Sequence, residues 1–334
     1  MLATRLAVVL GVVPAVLTTS CASVQRAAGT APAVQVWDFA APWDPRSGAS
    51  LAAHGAELDA VVSGFIVIDS ASFRPVLFGA DTSVATRAAT QRLAIVSTYQ
   101  GSAFHTETIR GLATDSVALG HTAGATAAML EQGGFRGAVL DFEALRPNDF
   151  DALALVSRAF ADSARAHGAT MVGMAIPATD TATYPARLLL RSLDFLVVML
   201  YDQHWATSPP GPITSPDWAM RALGIRVGEA GPSHLIAAFP TYGYLWRTDS
   251  ATAVISYAQA DSVARAAHVE LARDPASMSL HATAGTWNAW VSDAAQLDSL
   301  MRGARALGVT HFALWRAGLE DPRVWTTIAA RRAR

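Results

Sequence analysis

Eight short apolar runs, separated by segments with helical spacing, constrain this chain of 334 residues more than any other feature. Several runs are apolar throughout, as in FLVVML at 195–200. Strands of a parallel sheet that is buried on both faces have this composition. The predicted strands are residues 34–39, 61–68, 93–97, 136–142, 170–176, 195–201, 235–239 and 310–315. Eight such strands alternating with helices predict an α/β fold, a (β/α)8 TIM barrel.

Two segments fall outside this alternation. Residues 245–293 are too many for an ordinary loop, so we expect a small α+β insertion between strand 7 and the last helices, which could wall one side of a cleft. Residues 22–33 lack hydrophobic periodicity and indicate a flexible tether that follows residue 21. The barrel is therefore expected to occupy residues 34–334.

The N-terminus resembles an export signal. Arg5 precedes an apolar run at 6–17, and small residues lead to Cys21, the only cysteine in the chain. This is the pattern of a secretory signal peptide over residues 1–20, and the run is shorter than the roughly 20 residues of a membrane-spanning helix. Cys21 lies where a bacterial lipoprotein signal places its lipidated cysteine. We expect an exported protein of the cell envelope, held at the membrane by a lipid anchor on Cys21 or otherwise secreted.

Two carboxylates lie at the end of the fourth predicted strand, within the run GAVLDFE at 137–143. Alternation directs Gly137, Val139, Asp141 and Glu143 toward the barrel axis, and the last residues of barrel strands emerge at the catalytic face. The backbones of the two acids lie roughly 6 to 7 Å apart, so their titrations should couple and one carboxyl should keep its proton near neutral pH. A glycosidic general acid needs such a proton, although an isolated D-x-E also occurs as two exposed acids.

The ends of strands six and eight carry further candidates. Met199 and Tyr201 are expected to point inward, Asp202 follows the strand, and Trp315 ends strand eight at the same rim. An aromatic floor, a phenol and carboxylates together are suited to a sugar ring, which offers apolar faces for stacking and hydroxyls for hydrogen bonds.

These residues resemble glycoside hydrolase family 18. Asp141 and Glu143 match the second half of its strand-four motif D-x-x-D-x-D-x-E, and MLYD at 199–202 is similar to its M-x-Y-D. Trp315 matches the tryptophan that floors the cleavage subsite. FPTYGY at 239–244, with Tyr242, is similar to the family's P-x-Y-G. The run YDQHW at 201–205 looks like bacterial members related to spore-cortex-lytic enzymes and adds Trp205 to the candidates.

The resemblance implies a retaining, substrate-assisted hydrolysis of β-linked N-acetylglucosamine polymers, peptidoglycan or chitin-like, without cofactor or metal. Glu143 would act as the acid, Asp141 would orient the substrate's acetamide, and Tyr201 would hydrogen-bond the acetamide carbonyl. The resemblance assigns substrate binding to five residues: Asp202, Met199, Trp315, Tyr242 and Trp205. The polysaccharide would be the partner, and the sequence leaves the oligomeric state open.

The chain departs from the family motif at its first two aspartates, where Arg136 and Val139 stand. Valine removes one like-charged neighbour of Asp141, so we expect the pKa of Asp141 to be raised less than in full-motif enzymes. The optimum of activity should be shifted or lowered as a result. Arg136 lies near the start of the strand and is expected to be structural.

Two other classes remain as alternatives. One is a barrel that binds glycans without cleaving them; such relatives typically lack the acid, which is present here as Glu143. The other is a metallohydrolase using His204, His281 or His311, but no HExxH pair or Cys/His ligand cluster supports it. A net charge of -2 without a clustered basic excess argues against a nucleic-acid partner.

Overall fold

A closed barrel of parallel strands forms the centre of the computed structural model, which describes residues 33–80 and 90–332. The predicted signal peptide, Cys21 and nearly all of the tether lie outside these residues. The strands are β1 (Gln35–Phe39), β2 (Ala60–Ile68), β3 (Pro75–Ala80), β4 (Gln91–Ser97), β5 (Tyr99–Gln100), β6 (Ala103–Phe104), β7 (Gly137–Asp141), β8 (Met171–Pro177), β9 (Phe195–Met199), β10 (Leu235–Pro240), β11 (Gly243–Arg247), β12 (Ala253–Ile255), β13 (Ala272–Arg273), β14 (Leu280–Ala284), β15 (Trp287–Val291) and β16 (His311–Trp315). The α-helices are α1 (Pro45–His54), α2 (Thr106–Thr114), α3 (Ser116–Gln132), α4 (Phe150–Ala166), α5 (Ala186–Leu189), α6 (Pro216–Ala230), α7 (Tyr257–Ala266), α8 (Ala294–Ala306) and α9 (Val324–Arg332).

The barrel strands follow the order β1-β16-β10-β9-β8-β7-β4-β2, and pairing of β1 with β2 closes the ring. Every pair within the ring is parallel, so the predicted (β/α)8 barrel is confirmed. β3 pairs antiparallel with the second half of β2, from Gly64 to Ile68. β3 thereby adds a ninth strand to the sheet beside the carboxyl-terminal half of β2.

Alternation along each strand separates two apolar layers. Val139 packs inside the barrel with residues such as Trp37 and Val197, whereas Ala138 and Leu140 pack in the outer layer against the helices. The predicted facing of the fourth strand is therefore confirmed. The aromatic rings inside the barrel are large, so a neighbouring strand needs glycine where a ring lies against its backbone. A Cβ atom on Gly173 would lie 2.3 Å from the ring of Phe195, which packs edge-on against Trp37 with ring centroids 5.2 Å apart.

The helix after the fourth barrel strand, α4, buries an apolar stripe. A 3-10 turn at Pro147–Asp149 leads into it, and Leu153, Val156 and Phe160 are among its buried residues. Asp149, at the start of α4, is held by an arginine of α2. It accepts hydrogen bonds from Nε and Nη2 of Arg110 at 2.7 and 2.8 Å, and this guanidinium lowers the pKa of Asp149 to about 2.

The insertion is a five-stranded antiparallel sheet, in the order β12-β11-β15-β14-β13, with α7 packed against it. It runs from Gly243 to Val291, close to the expected 245–293. The expectation that it could wall the cleft needs correction, because none of these residues lines the cleft described below. Its first strand packs instead against loop residues behind the site, through Tyr244 and Trp246. Within residues 33–80 and 90–332, no helix has the length and apolar character to span a bilayer.

Candidate active site

A cleft of about 900 Å³ opens at the carboxyl ends of the barrel strands. Side chains from β1, β2, β4, β7, β8, β9 and β16 reach it, so the barrel closure brings together residues far apart in the sequence. Six of the eight residues predicted to form the site line this one cleft: Asp141, Glu143, Met199, Tyr201, Asp202 and Trp315.

The two carboxylates of the fourth barrel strand are in contact. Glu143 hydrogen-bonds Asp141, and Ser97 Oγ donates to Asp141 Oδ2 at 2.8 Å. Burial raises the pKa of Asp141, and the hydrogen bonds from Ser97 and Glu143 lower it in part. Burial, followed by the negative charges of Asp141 and Asp202, raises the pKa of Glu143 well above its usual value. The proton of the pair therefore lies on Glu143 and is available to a ligand in the cleft.

Local structure places Glu143 at the rim. Phe142 is fully buried on the outer side and packs edge-on against Phe160 of α4, so the residues on either side of it face the cleft. Ala144 has a φ of 60°, and the chain turns away from the barrel there. Val139, two residues before Asp141, is fully buried in the apolar interior, so no acid lies beneath the pair on this strand. The expected effect of this valine on the pKa of Asp141 stays a prediction.

Aromatic rings form the floor of the cleft. Tyr201 and Trp315 lie nearly parallel, at 12° with ring centroids 6.3 Å apart, and Phe39 packs edge-on against Trp315 at 5.5 Å. Met199 is buried beside them. Burial and the negative charges of Glu143 and Asp202 raise the pKa of Tyr201 well above its usual value, so its hydroxyl keeps its proton and can donate a hydrogen bond.

Asp202 is held at the edge of the cleft by two tyrosines. Tyr242 donates its hydroxyl to Asp202 Oδ1 at 2.5 Å, and Tyr244 also hydrogen-bonds Asp202. Loss of solvent raises the pKa of Asp202, whereas the tyrosine hydroxyls lower it. The main chain of Asp202 has a φ of 58°, so its peptide turns sharply after strand β9.

Two predicted substrate contacts lie elsewhere. Tyr242 is only 4% exposed and lies behind Asp202, so it positions that carboxylate and does not line the cleft. Trp205 is 49% exposed on the following loop, where its Nε1 donates to Thr207 Oγ1 at 3.0 Å, and it does not line the cleft either. The resemblance assigned both to substrate binding because they lie within matching motifs, and a motif does not fix the direction of a loop side chain.

Sequence reasoning missed the opposite side of the cleft. We call this side the aromatic wall, and it consists of Trp43, Phe65, Phe78, Tyr99 and Phe104. Its rings pack edge-on in pairs, with Trp43 and Phe65 at 5.3 Å and Tyr99 and Phe104 at 5.1 Å. Phe65 lies in an apolar run where alternation could have assigned it to the interior. The others follow strands or lie on hairpins, where no periodicity applies.

The histidines considered as metal ligands lie apart from one another. His204 Nδ1 is 3.1 Å from the carbonyl oxygen of Pro209, His281 stacks on Trp290 at 4.7 Å, and His311 begins β16. In the described part of the chain, no group of three or more His, Cys, Asp or Glu residues is arranged to hold a metal ion.

A parallel barrel with a hydrogen-bonded carboxyl pair, a phenol and an indole at the carboxyl ends of its strands has the architecture of a glycosidase. The sequence profile of the Glycosyl hydrolases family 18 matches residues 112–314, more than half of the chain. The chain therefore belongs to glycosyl hydrolase family 18.

Known proteins of similar sequence and structure agree with this family. The chain is 30% identical over 132 residues to the uncharacterized glycosylase YvbX of Bacillus subtilis, a match that covers 36% of this chain and only 38% of the length of YvbX. A chitinase from Chromobacterium violaceum has a TM-score of 0.77 at 19% identity, covering 90% of this chain and all of the other. The spore cortex-lytic enzyme SleL of Bacillus cereus has the same score at 17% identity, covering 90% and 75%. At these identities the structural likeness concerns the fold.

Proposed function

We propose that this chain is a retaining, substrate-assisted glycosidase that hydrolyses β-linked N-acetylglucosamine polymers, either peptidoglycan or chitin-like. One observation carries the proposal: Glu143 is hydrogen-bonded to Asp141 in a cleft whose floor is made by Tyr201 and Trp315. The similarity to structures named as chitinases and as a spore cortex-lytic enzyme supports this choice of polymer.

In the proposed first step, Glu143 gives its proton to the glycosidic oxygen as the bond from that oxygen to the anomeric carbon breaks. The substrate's own acetamido carbonyl oxygen attacks the anomeric carbon from the other face, because this family is an exception to the two-carboxylate scheme. Asp141 accepts a hydrogen bond from the acetamide N–H and stabilises the positive charge of the oxazolinium ion. Tyr201 donates a hydrogen bond from its hydroxyl to the carbonyl oxygen and aligns it.

In the second step, the Glu143 carboxylate takes a proton from water, and the water oxygen attacks the anomeric carbon. The ring of the oxazolinium ion opens, the acetamide is restored, and Glu143 is protonated again for the next cycle. Two displacements at one carbon retain its configuration. Trp315 would stack under the reacting sugar, while Asp202, held by Tyr242, would accept a hydroxyl hydrogen bond.

Product analysis tests this proposal. Purified protein is incubated with peptidoglycan and, separately, with N-acetylglucosamine oligomers, and the new reducing ends are identified by mass spectrometry. We expect N-acetylglucosamine ends from wild type, and a loss of roughly 10²–10⁴-fold in rate for Glu143→Gln. Glu131→Gln is the matched control, because Glu131 lies on the surface of α3, paired with His167, and should leave the rate unchanged.

Two results would contradict the proposal. N-acetylmuramic acid at the new reducing ends would contradict cleavage after N-acetylglucosamine, because the sugar on the non-leaving side would then be the lactyl-substituted one. If neither wild type nor Glu143→Gln cleaves any glycan but both bind glycans measurably, the barrel is one that binds glycans without cleaving them.

We also propose that the protein is exported and held in the cell envelope by a lipid on Cys21. The support is the sequence pattern around Cys21. Growth with labelled palmitate should label the wild-type protein but leave Cys21→Ser unlabelled. An unlabelled wild-type protein in the culture medium would show that it is secreted without an anchor.

A further inference from the structure

A buried arginine lies behind one wall of the cleft. Arg226 of α6 has no exposed surface, and each of its five N–H groups has an acceptor, which is the full complement of a guanidinium. The acceptors are the carbonyl oxygens of Pro177 (2.7 Å), Ala178 (3.2 Å), Asp180 (2.9 Å) and Tyr184 (2.7 Å), and Glu229 Oε2 (3.0 Å).

Four of these acceptors belong to the single segment 177–184, which leads from β8 to α5. Pro177, Ala178 and Thr179 of this segment line the cleft. Burial lowers the pKa of Arg226, so placing a cation here is unfavourable, and Glu229 offsets this only in part. The guanidinium at this position is therefore explained by its hydrogen bonds to the carbonyl groups of segment 177–184, which hold that segment in its conformation.

The same segment reaches the proposed acid. Tyr184 is 1% exposed, and its hydroxyl donates to the carbonyl oxygen of Phe142 at 2.8 Å. Phe142 lies beyond the last paired residue of β7 on both sides, since the register with β8 ends at Leu140 and that with β4 ends at Asp141. The Tyr184 hydroxyl thus fixes the peptide that connects Phe142 to Glu143.

We propose that Arg226 and Tyr184 are positioning residues for the hydrolysis: Arg226 holds segment 177–184, and Tyr184 of that segment holds the backbone at Glu143. The inference rests on the proposed role of Glu143 as the acid. Neither side chain lines the cleft, so both act through other residues. One segment then sets both the cleft wall at Pro177 and the placement of the acid.

The first test is Tyr184→Phe, which keeps the ring and removes one donor. We expect kcat on N-acetylglucosamine oligomers to fall roughly tenfold, because small displacements of a reacting group are costly, while KM changes by less than about twofold. The alkaline limb of the pH–rate profile should move to lower pH, since a less constrained Glu143 is better hydrated and its pKa falls. Tyr257→Phe, in the insertion, is the matched control and should keep wild-type kcat, KM and pH profile.

The second test is Arg226→Lys, whose three N–H groups can serve at most three of the five acceptors. We expect kcat to fall and KM to rise by several-fold, because the cleft wall also moves. If the two residues act as one unit, the double variant should lose less activity than the product of the two single losses.

A lower melting temperature of Tyr184→Phe with wild-type kcat, KM and pH profile would overturn the inference, since the hydroxyl would then serve folding alone. If wild type cleaves no glycan, the proposed function is wrong. The positioning role of Tyr184 is then tested by a carbon-13 NMR titration. The Glu143 carboxyl signal is assigned by its absence in Glu143→Gln. A titration shifted to lower pH in Tyr184→Phe supports the inference, and an unchanged curve overturns it.

Discussion

The two sides of the cleft are built by different means. On the side we call catalytic, strand pairing fixes the directions of Asp141 and Trp315, which end barrel strands, and Tyr201 lies two residues beyond the end of β9. On the opposite side, the aromatic wall comes mainly from hairpins and loops, and its rings are held by contacts with each other. Strand ends provide rigid placement, which bond cleavage needs, and loop rings provide broad apolar surface. We therefore expect the catalytic side to set turnover and the aromatic wall to set glycan affinity.

The largest expected effect is on the catalytic side. Asp141→Asn keeps the shape of the side chain but removes the charge that would stabilise the oxazolinium ion, so kcat should fall roughly 10²–10³-fold. The negative charge of Asp141 raises the pKa of Glu143, so its removal should also move the alkaline limb of the pH–rate profile to lower pH. Steady-state kinetics on N-acetylglucosamine oligomers across pH measure both effects.

Asp69→Asn is the matched control on the other side of the cleft. Asp69 also lines the cleft, and hydrogen bonds from Ser72 and Gln100 lower its pKa to about 2, so it is ionised throughout the range of the assay. We expect this variant to keep kcat and to change at most KM. An equal loss of kcat in Asp141→Asn and Asp69→Asn would show that the overall charge of the cleft sets turnover. The proposed difference between the two sides of the cleft would then be wrong.

The same contrast explains what could be predicted from the sequence. The apolar runs predicted the eight barrel strands, and the alternation of side chains along a strand predicted the inward position of Asp141. Packing of the inner and outer apolar layers enforces both patterns. The resemblance correctly placed Trp315 in the cleft, because strand β16 fixes its direction. Trp205, which follows a strand, lies outside the cleft, and the resemblance did not mark Trp43, since loop direction depends on tertiary contacts that no local pattern encodes.

A smaller effect is expected from the aromatic wall. Trp43 is 50% exposed in the cleft, and Trp43→Ala should raise KM for long oligomers by roughly three- to tenfold through loss of stacking, with kcat nearly unchanged. Trp205→Ala is a matched control, because Trp205 is equally exposed but lies outside the cleft. Kinetics with short and long oligomers distinguish the two. A fall of kcat in Trp43→Ala without a change in KM would mean that the wall takes part in bond cleavage.

The smallest effect concerns a buried acid that has a raised pKa but, unlike Asp141, Glu143 and Asp202, does not line the cleft. Asp38 of β1 is fully buried, and its Oδ2 has no hydrogen-bond partner among the described residues. Burial, and then the negative charge of Glu320, raises the pKa of Asp38 well above its ordinary value of 3.8. Comparison of Asp38 with Glu143 distinguishes two reasons for a raised pKa. Glu143 would hold its proton for transfer, whereas Asp38 holds its proton because its site excludes water.

Asp38→Asn tests that distinction. The folded protein binds the Asp38 proton more tightly than the unfolded chain does, so the native contribution to stability is present below about pH 4 and is lost as pH rises through the raised pKa. An asparagine carries no charge to bury, so the variant should match wild type near pH 4 and exceed it by roughly 1–3 kcal/mol in free energy of unfolding at pH 8. Denaturant titrations at the two pH values measure this. Activity should change by less than about twofold, whereas Glu143→Gln should lose activity whatever it does to stability. A loss of activity in Asp38→Asn as large as that of Glu143→Gln would place the β1 carboxyl within the proton transfer itself, because asparagine has nearly the same shape and carries no charge.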